Sequence, residues 1–372
     1  MSKPKRKIQN FRVCPEDEKM QLGLSVFNAL KTDPGRPIKA VAQKAGVPEG
    51  AAADYINSCV KEGLLKIAGA GDGAVEFDGA RKKSLGVGFW RDQCILTVMD
   101  VSGKVEASEK IQIAPMKEFR GKNKEVKEII EKIKNETALA GSDFIYAGVA
   151  VPEVMRESNE KAAEILGEGV SRIFRCDVFT CGEATAAAYA ETDKREGEEA
   201  VLYVFSDIGT GVVIKNEMIY EAVDDTSSDD SYLRPWSQFS IVETAKKLVN
   251  NGVGTDIVNM VGGDIENITL PVVLAAADKK DELAEDLIKR TGLALGVRVA
   301  YLANMFRPDV VVLGGGTEGE KGDFPQFVQE SADRFLIKEA KEALEIVRGV
   351  LGAEASSIGT ASLCRREIFM EV

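Results

Sequence analysis

Apolar residues recur at helical spacing three times before position 63. Leu22, Val26, Phe27 and Leu30 mark one face of a helix over Met20–Leu30. The run Thr32-Asp33-Pro34-Gly35-Arg36-Pro37 ends it. Ile38, Val41 and Ala42 share a face of a second helix, Ile38–Ala45, which Gly46 stops. Tyr55, Ile56, Cys59 and Val60 stripe a third, which starts with Pro48 in its first turn and runs to about Glu62. Gly63 suits the position just past its end. The spacing then shortens: Leu64–Ile67 and Val75–Phe77 read as strands around the turn Ala68-Gly69-Ala70-Gly71-Asp72-Gly73. Helix, helix, glycine turn, helix and hairpin form the order of a winged helix-turn-helix, assigned to residues 1–83.

From Leu85 the pattern is that of an α/β body. Leu85–Phe89 and Ile95–Asp100 read as neighbouring strands, and Val101-Ser102-Gly103 turns into a third near Val105–Ile113. A charged amphipathic helix is expected over Glu118–Leu139, then a buried-type strand Ile145–Val151 closed by Pro152. Strand Arg175–Phe179 leads into helix Glu183–Glu191. Ala200–Phe205 and Val212–Lys215 pair, helix Ile241–Val249 follows, and a long helix Glu282–Phe306 precedes strand Val310–Leu313 and Gly314-Gly315-Gly316. Lobes are placed at residues 84–190 and 191–372, with the C-terminal helix able to return to the first.

Charge separates these parts. The chain of 372 residues carries −12, yet residues 1–83 hold 15 Lys and Arg against 10 Asp and Glu. A basic head on an acidic body directs any polyanion to the head. The alternative is a solvated basic tail, since Lys3, Lys5, Arg6, Lys7 and Arg12 supply five of those cations. No histidine is present, so acid–base chemistry would fall to carboxylates, lysine or tyrosine. The six cysteines lie far apart and read as core thiols, with no metal site expected. The basic stretch Met1–Arg12 lacks a following apolar segment, and no apolar run reaches the roughly 18 residues of a membrane helix. The expected location is cytoplasmic, without a membrane partner.

Motifs along the body, in order, resemble the ROK family of repressors, open reading frames and kinases. Leu85–Gly103 resembles its opening hairpin, and Ala147-Gly148-Val149-Ala150-Val151-Pro152 the strand that leads to its sugar cleft. Glu183-Ala184-Thr185-Ala186-Ala187-Ala188-Tyr189-Ala190-Glu191 resembles the catalytic strand-to-helix segment, and Ile208-Gly209-Thr210-Gly211 the second phosphate loop. Asn304–Asp309 with Val310–Gly316 resembles the adenosine-side segment; Leu351–Ala353 and Ile358–Ala361 resemble the C-terminal ending. The resemblance covers most of residues 85–366. It implies the actin-like ATPase/sugar-kinase (ribonuclease H-like) fold in two lobes, and the N-terminal module points to the repressor branch. Gly46-Val47-Pro48 through Lys61-Glu62-Gly63-Leu64-Leu65 is itself similar to the turn and recognition helix of bacterial repressors.

The same resemblance shows what has changed. Family kinases open with an acidic residue and a Gly-Gly-Thr phosphate hairpin; here Gly88-Phe89-Trp90-Arg91-Asp92 stands there, with Gly88 at the metal-side carboxylate and bulky Phe89 and Trp90 set to block the phosphate. Gly209, Thr210 and Gly211, with Asp207 ahead of them, read either as a vestigial nucleotide loop or as a tight hairpin. Gly314, Gly315 and Gly316 complete the vestigial nucleotide set. Glu183 occupies the position of the general base but is one methylene longer than the family aspartate; otherwise it favours the helix N-terminus. Pro152, Gly182 and Thr185 are the ligand-cleft candidates, with Gly182 and Thr185 replacing family amides. The Gly-Glu-x-Gly-His element and the family zinc loop are absent; Asp224, Asp225, Asp229 and Asp230 read as a solvated loop. No cofactor is expected, zinc included, and ATP with magnesium only if kinase activity survives.

For DNA the candidates are Lys5, Arg6 and Lys7 in the arm, Lys39 and Lys44 on helix two, Asn57, Ser58 and Lys61 on helix three, and Arg81 and Lys82 after the wing. Glu49 and Asp54 carry the wrong sign for a phosphate-lined groove. The leading expectation is a DNA-binding regulator, a homodimer whose pseudokinase body senses a small molecule such as a sugar derivative. The alternatives are a divergent ATP-dependent sugar kinase and a non-catalytic scaffold without DNA binding.

Overall fold

The computed structural model describes residues 6–12, 14–69, 73–116, 119–193, 200–205, 210–214, 217–222, 238–314 and 322–372. The chain divides into two compact units. One holds residues 1–196, 216–219 and 353–372, the other 197–215 and 220–352.

The first unit begins with strand β1 (Ile8–Asn10), then helix α1 (Glu18–Thr32), short strand β2 (Arg36–Pro37), α2 (Ile38–Ala45) and α3 (Glu49–Lys61). Asp17 caps α1 by accepting from the Met20 amide at 2.8 Å. Gly46 closes α2 in the left-handed conformation at φ 69°, and Gly63, at φ 72°, follows α3. Strands β3 (Leu65–Ala68) and β4 (Ala74–Phe77) form the expected hairpin, and β2 adds a third strand to it. Pro37 and Arg36 showed no strand signal, because two residues carry no period.

The body sheet of this unit runs β1-β9-β8-β5-β6-β7, with β5 (Lys83–Trp90), β6 (Gln93–Asp100), β7 (Val105–Gln112), β8 (Tyr146–Val151) and β9 (Asp177–Gly182). β1, β9, β8 and β5 are mutually parallel; β5, β6 and β7 form an antiparallel meander. Helices α4 (Asn123–Glu136) and α6 (Ala162–Phe174) cover one face. A short α5 (Glu153–Ser158) precedes α6, and α7 (Glu183–Thr192) follows β9. Two expectations change here. Helix α4 starts five residues later than its charge pattern suggested, and the β9 strand extends to Gly182, so helix and strand meet without a loop.

The other face is covered by the last helix, Ala355–Glu371, here called α14. Small residues let it lie directly on the sheet. A Cβ at Gly86 would stand 1.9 Å from the Ser357 carbonyl oxygen, and one at Gly148 2.7 Å from that of Thr360. Gly359 approaches α7 as closely, with Ala186 oxygen 1.8 Å from where its Cβ would be. Hydrogen bonds tie this helix to the sheet: Ser357 meets Thr97 at 2.8 Å, and Ser84 of β5 donates to the Ala361 carbonyl at 3.0 Å. Toward its C-terminus α14 enters the core of the N-terminal module. Phe369 stacks on Phe27 at 5.1 Å and meets Phe77 edge-on. Full burial of such a ring is worth about 1.5–3 kcal/mol.

The second unit carries a sheet in the order β12-β11-β10-β13-β14: β10 (Ala200–Phe205), β11 (Thr210–Ile214), β12 (Glu217–Ala222), β13 (Val310–Gly314) and β14 (Glu345–Arg348). Its helices are α8 (Gln238–Asn250), α9 (Ile257–Met260), α10 (Leu270–Asp278), α11 (Glu282–Phe306), α12 (Phe324–Phe335) and α13 (Lys338–Ala343). Helix α11 matches its predicted bounds because Asp281 caps it, accepting from the Ala284 amide at 2.9 Å, and Arg307 leaves it at φ 47°. Among the described residues no helix is long and apolar enough to cross a membrane.

Candidate nucleic-acid interface and ligand edge

In the N-terminal module the outward stripe of α3 is Gly50, Asp54, Asn57 and Lys61, all exposed, at helical spacing. Tyr55, Ile56 and Cys59 face inward, and burial pushes the Cys59 thiol up to about 12. Ser58 spends its hydroxyl on its own helix, donating to the Asp54 carbonyl at 3.0 Å, so it is a poor base reader. Lys39 is exposed on α2. Lys44 stands 4.0 Å from Asp33, which also takes Arg36 at 3.0 Å. Arg81 is exposed, lies over Gly63 and pairs with Asp78 at 3.7 Å; Lys82 is half-buried. Exposed pairs of this kind cost little to open.

The basic arm requires correction. Ile8–Asn10 pairs in parallel with Val178–Thr180, and Lys7 donates its amide to Asp177 at 3.0 Å. The Arg6 guanidinium donates to the Ser171 carbonyl at 3.1 Å. Residues 6–12 are therefore held along the body sheet, with Ile8–Asn10 as a strand of it, and are not a free arm; Lys5 lies outside the described residues. The reason is an exposed edge of β9 that local pattern could not reveal.

In the body of the same unit, the structure brings the ligand candidates to one sheet edge. Val151 is in register with Gly182 on parallel neighbours, so Pro152 and Glu183 both leave the carboxyl ends of β8 and β9. Ligands of open α/β sheets bind at such ends. Pro152 precedes α5, and Gly182 caps α7, whose first residue is the half-buried Glu183. Thr185 is buried, and its hydroxyl has no hydrogen-bond partner among the described residues. Glu153 was missed: it is 2% exposed at this edge and pairs with Arg156 at 3.3 Å. A carboxylate directly after a strand-closing proline was the available signal.

The opening hairpin also departs from expectation. Phe89 points into the core with Leu85 and Val87, whereas Trp90 is half-buried on the opposite face beneath Arg91 at 5.5 Å. Gly88 faces α14. A Cβ there would lie 2.5 Å from Ser356 Oγ and 2.6 Å from the Ser357 amide nitrogen. The position at which the family resemblance puts a metal-side carboxylate thus has no room for any side chain.

In the second unit, Thr210 pairs with Val204 and Gly211 with Tyr203, while Gly314 is in register with Phe205. Thr210, Gly211 and Gly314 therefore share one end of that sheet. Gly209, Gly315 and Gly316 lie outside the described residues, as do Asp224, Asp225, Asp229 and Asp230.

Residues 249–367 match the ROK family model. The fold agrees along almost the whole chain. A crystal structure of a ROK family transcriptional regulator, a homologue of the Escherichia coli MLC protein, superposes with TM-score 0.71 at 14% identity, covering 95% of this chain and 98% of its own. Residues 249–367 carry the ROK family match, and the fold of the chain is that of ROK proteins. A ROK family glucokinase from Streptomyces griseus, solved with glucose and AMPPNP, reaches TM-score 0.62 at 21% identity but covers 76% of this chain. The difference in coverage is close to the size of the N-terminal module. By sequence, the DNA-binding transcriptional dual regulator NagC of Escherichia coli K12 is 30% identical over 103 residues, 27% of this chain and 25% of NagC. The glucokinase of Halalkalibacterium halodurans is 21% identical over 211 residues, 51% of this chain. The chain thus aligns with about a quarter of the length of the regulator it matches.

Proposed function

We propose that this protein is a ROK-type transcriptional regulator that binds DNA through a winged helix-turn-helix, acts as a homodimer, and senses a small molecule of sugar type through a body that has lost phosphoryl transfer. The observation that carries this reading is the three-helix and hairpin module continuous with a sugar-kinase-like fold, an arrangement that a ROK regulator covers and a ROK kinase does not. Asn57 and Lys61 on the outer stripe of α3, with Lys39 and Lys44 on α2, are the proposed contacts. Lys82 and Arg81 would reach the backbone beside the wing.

The loss of catalysis in this reading rests on the missing metal-side carboxylate. Phosphoryl transfer depends on positioning and charge neutralisation by a carboxylate-held metal. Gly88 excludes that carboxylate sterically. Pro152, Gly182, Glu183 and Thr185 remain as a sheet-end group able to bind a ligand without turning it over, and the orphan Thr185 hydroxyl supports a polar ligand there. A mobility-shift assay on DNA upstream of the protein's own gene, at low and moderate salt, tests the reading; no shift at micromolar protein opposes it.

The similarity to a glucokinase over half the chain favours a second reading, a divergent sugar kinase with Glu183 as base. Coupled ADP release over hexoses and N-acetylated amino sugars tests it, with Glu183→Ala as the control. Turnover that survives that substitution removes the proposed base.

A further inference from the structure

Arg365 is an unusual residue to find inside α14. It is 3% exposed, and its guanidinium lies over the rings of Phe27 at 5.4 Å and Phe77 at 5.7 Å. Its Nε donates to the Val101 carbonyl at 3.1 Å. Gly103, at φ 95°, makes room for it: a Cβ there would meet Nη1 at 2.6 Å. Among the described residues nothing hydrogen-bonds or ion-pairs with the Nη groups. Arg365 lines a cavity of about 490 Å³ inside the first unit.

The cavity joins two parts of that unit. Leu30 and Lys31 come from α1 and Phe77 from the hairpin of the N-terminal module, while Met99, Asp193 and Ile358 come from the body. Three carboxylates face the region, and each is engaged. Asp193 pairs with Lys31 and accepts from Ser362. Glu76 pairs with Lys66 at 3.1 Å. Asp100 holds its own turn, accepting from the amides of Ser102 at 2.8 Å and Lys104 at 3.0 Å and from the Ser102 hydroxyl at 2.6 Å. Arg365 is the cation left over. A desolvated guanidinium whose Nη groups contact no anion is costly, and its planar fork matches a carboxylate or phosphate. Burial lowers its proton affinity, against the pull of Asp193, Tyr189 and Asp100.

We propose that this cavity binds a small organic anion, its carboxylate or phosphate ester on the Nη donors of Arg365 beside Lys31 and its apolar part against Leu30, Phe77, Met99 and Ile358. The volume suits such a ligand. The site is separate from the sheet edge at Pro152 and Glu183, and it does not depend on DNA binding. Because its walls come from both the hairpin and the body, an occupant fixes the module in the arrangement described here.

Calorimetry on the full chain tests this with benzoate, phenyl phosphate and inorganic phosphate, and with neutral benzyl alcohol as the control. Either aromatic anion binds at one site, and benzyl alcohol binds about tenfold more weakly or worse. The two aromatic anions separate carboxylate from phosphate recognition; inorganic phosphate isolates the headgroup. Arg365→Met removes the donors but alters the core. Val105→Trp, at the half-open rim where Val105 is 39% exposed, fills the cavity and leaves Arg365 in place. It weakens anion binding about tenfold with the melting temperature unchanged. A crystal soaked in 4-bromobenzoate shows its bromine in this cavity. Equal binding of the alcohol, no binding of either aromatic anion at low-millimolar concentration, full affinity in Val105→Trp, or bromine only elsewhere overturns the proposal.

Discussion

The hydroxyl of Tyr55, on α3, donates to the backbone carbonyl of Phe369, on α14. That carbonyl is among the last four of its helix and has no partner within it. A residue of the outward-reading helix thus completes the C-terminus of the helix that underlies the body sheet. The same contact explains Gly23 on α1, where a Cβ would stand 2.3 Å from the Phe369 oxygen and 3.1 Å from the Tyr55 hydroxyl.

Tyr55→Phe leaves a buried carbonyl unsatisfied and is expected to cost about 1–3 kcal/mol. Gly23→Ala gains about 1 kcal/mol in helix propensity but forces the two helices apart, at about 1–3 kcal/mol, so it destabilises on balance. Urea unfolding followed by near-ultraviolet dichroism checks both. Wild-type midpoints in either variant would remove this contact from the account.

Gly88→Asp restores the family carboxylate in name only. With Ser356 Oγ and the Ser357 amide within 2.6 Å of its Cβ, the variant is expected to lose about 3 kcal/mol or more of stability and to gain no kinase activity. Melting curves and the ADP-release assay measure the two effects. A stable variant with sugar-dependent ADP release would contradict the steric argument.

Much of this was legible along the chain. Helices α2 and α11 carried both period and stop signals, in Gly46 and in Phe306-Arg307-Pro308, and β5 and β6 read as neighbouring strands. What stayed hidden depends on distant partners. Ile8–Asn10 becomes a strand only because Val178–Thr180 offers an edge 170 residues away. Helix α14 has almost no exposed face, since sheet, α7 and α1 surround it, and its polar residues are buried with the apolar ones, so no helical period marks it. Arg365-Arg366-Glu367 looks like a solvated run in sequence, yet each of the three is buried. Charge predicts exposure only when no partner is waiting inside, and here Arg12 crosses from the N-terminus to meet Glu367.

That last pair sets a pH dependence. Burial raises the Glu367 carboxyl above its ordinary value, against the opposing pull of Arg12 and Arg366. The folded state therefore holds this proton more tightly than the unfolded chain does. Its contribution is fully present below the ordinary carboxylate value, about 4.5, and declines as pH rises through the folded value. Glu367→Gln lacks this titration. The melting temperature of wild type relative to Glu367→Gln should fall as pH is raised from the acid side toward neutrality; a constant difference would refute the assignment.

Self-association has a proposed surface in the second unit. Tyr301 and Met305, one turn apart on α11, are 65% and 72% exposed, and Asn304 between them bonds the Phe335 carbonyl at 2.9 Å and the Ile337 amide at 3.0 Å, bringing exposed Phe335 and Ile337 alongside. Light scattering should give a dimer for wild type and a monomer for Tyr301→Asp with Met305→Asp. A dimer that persists in the double variant places the interface elsewhere.

DNA binding decides the central claim. Fluorescence anisotropy with a labelled duplex from upstream of the gene, titrated with full-length protein over a range of salt, measures it directly. The account predicts micromolar or tighter binding that weakens with salt. Lys61→Ala should reduce the log–log salt slope by about 0.9, for one lost phosphate contact. Asp54→Asn, which removes a misplaced negative charge from the outer stripe of α3, should tighten binding about threefold. No binding at low salt, or binding indifferent to Lys61, Asn57 and Asp54 alike, would contradict the account.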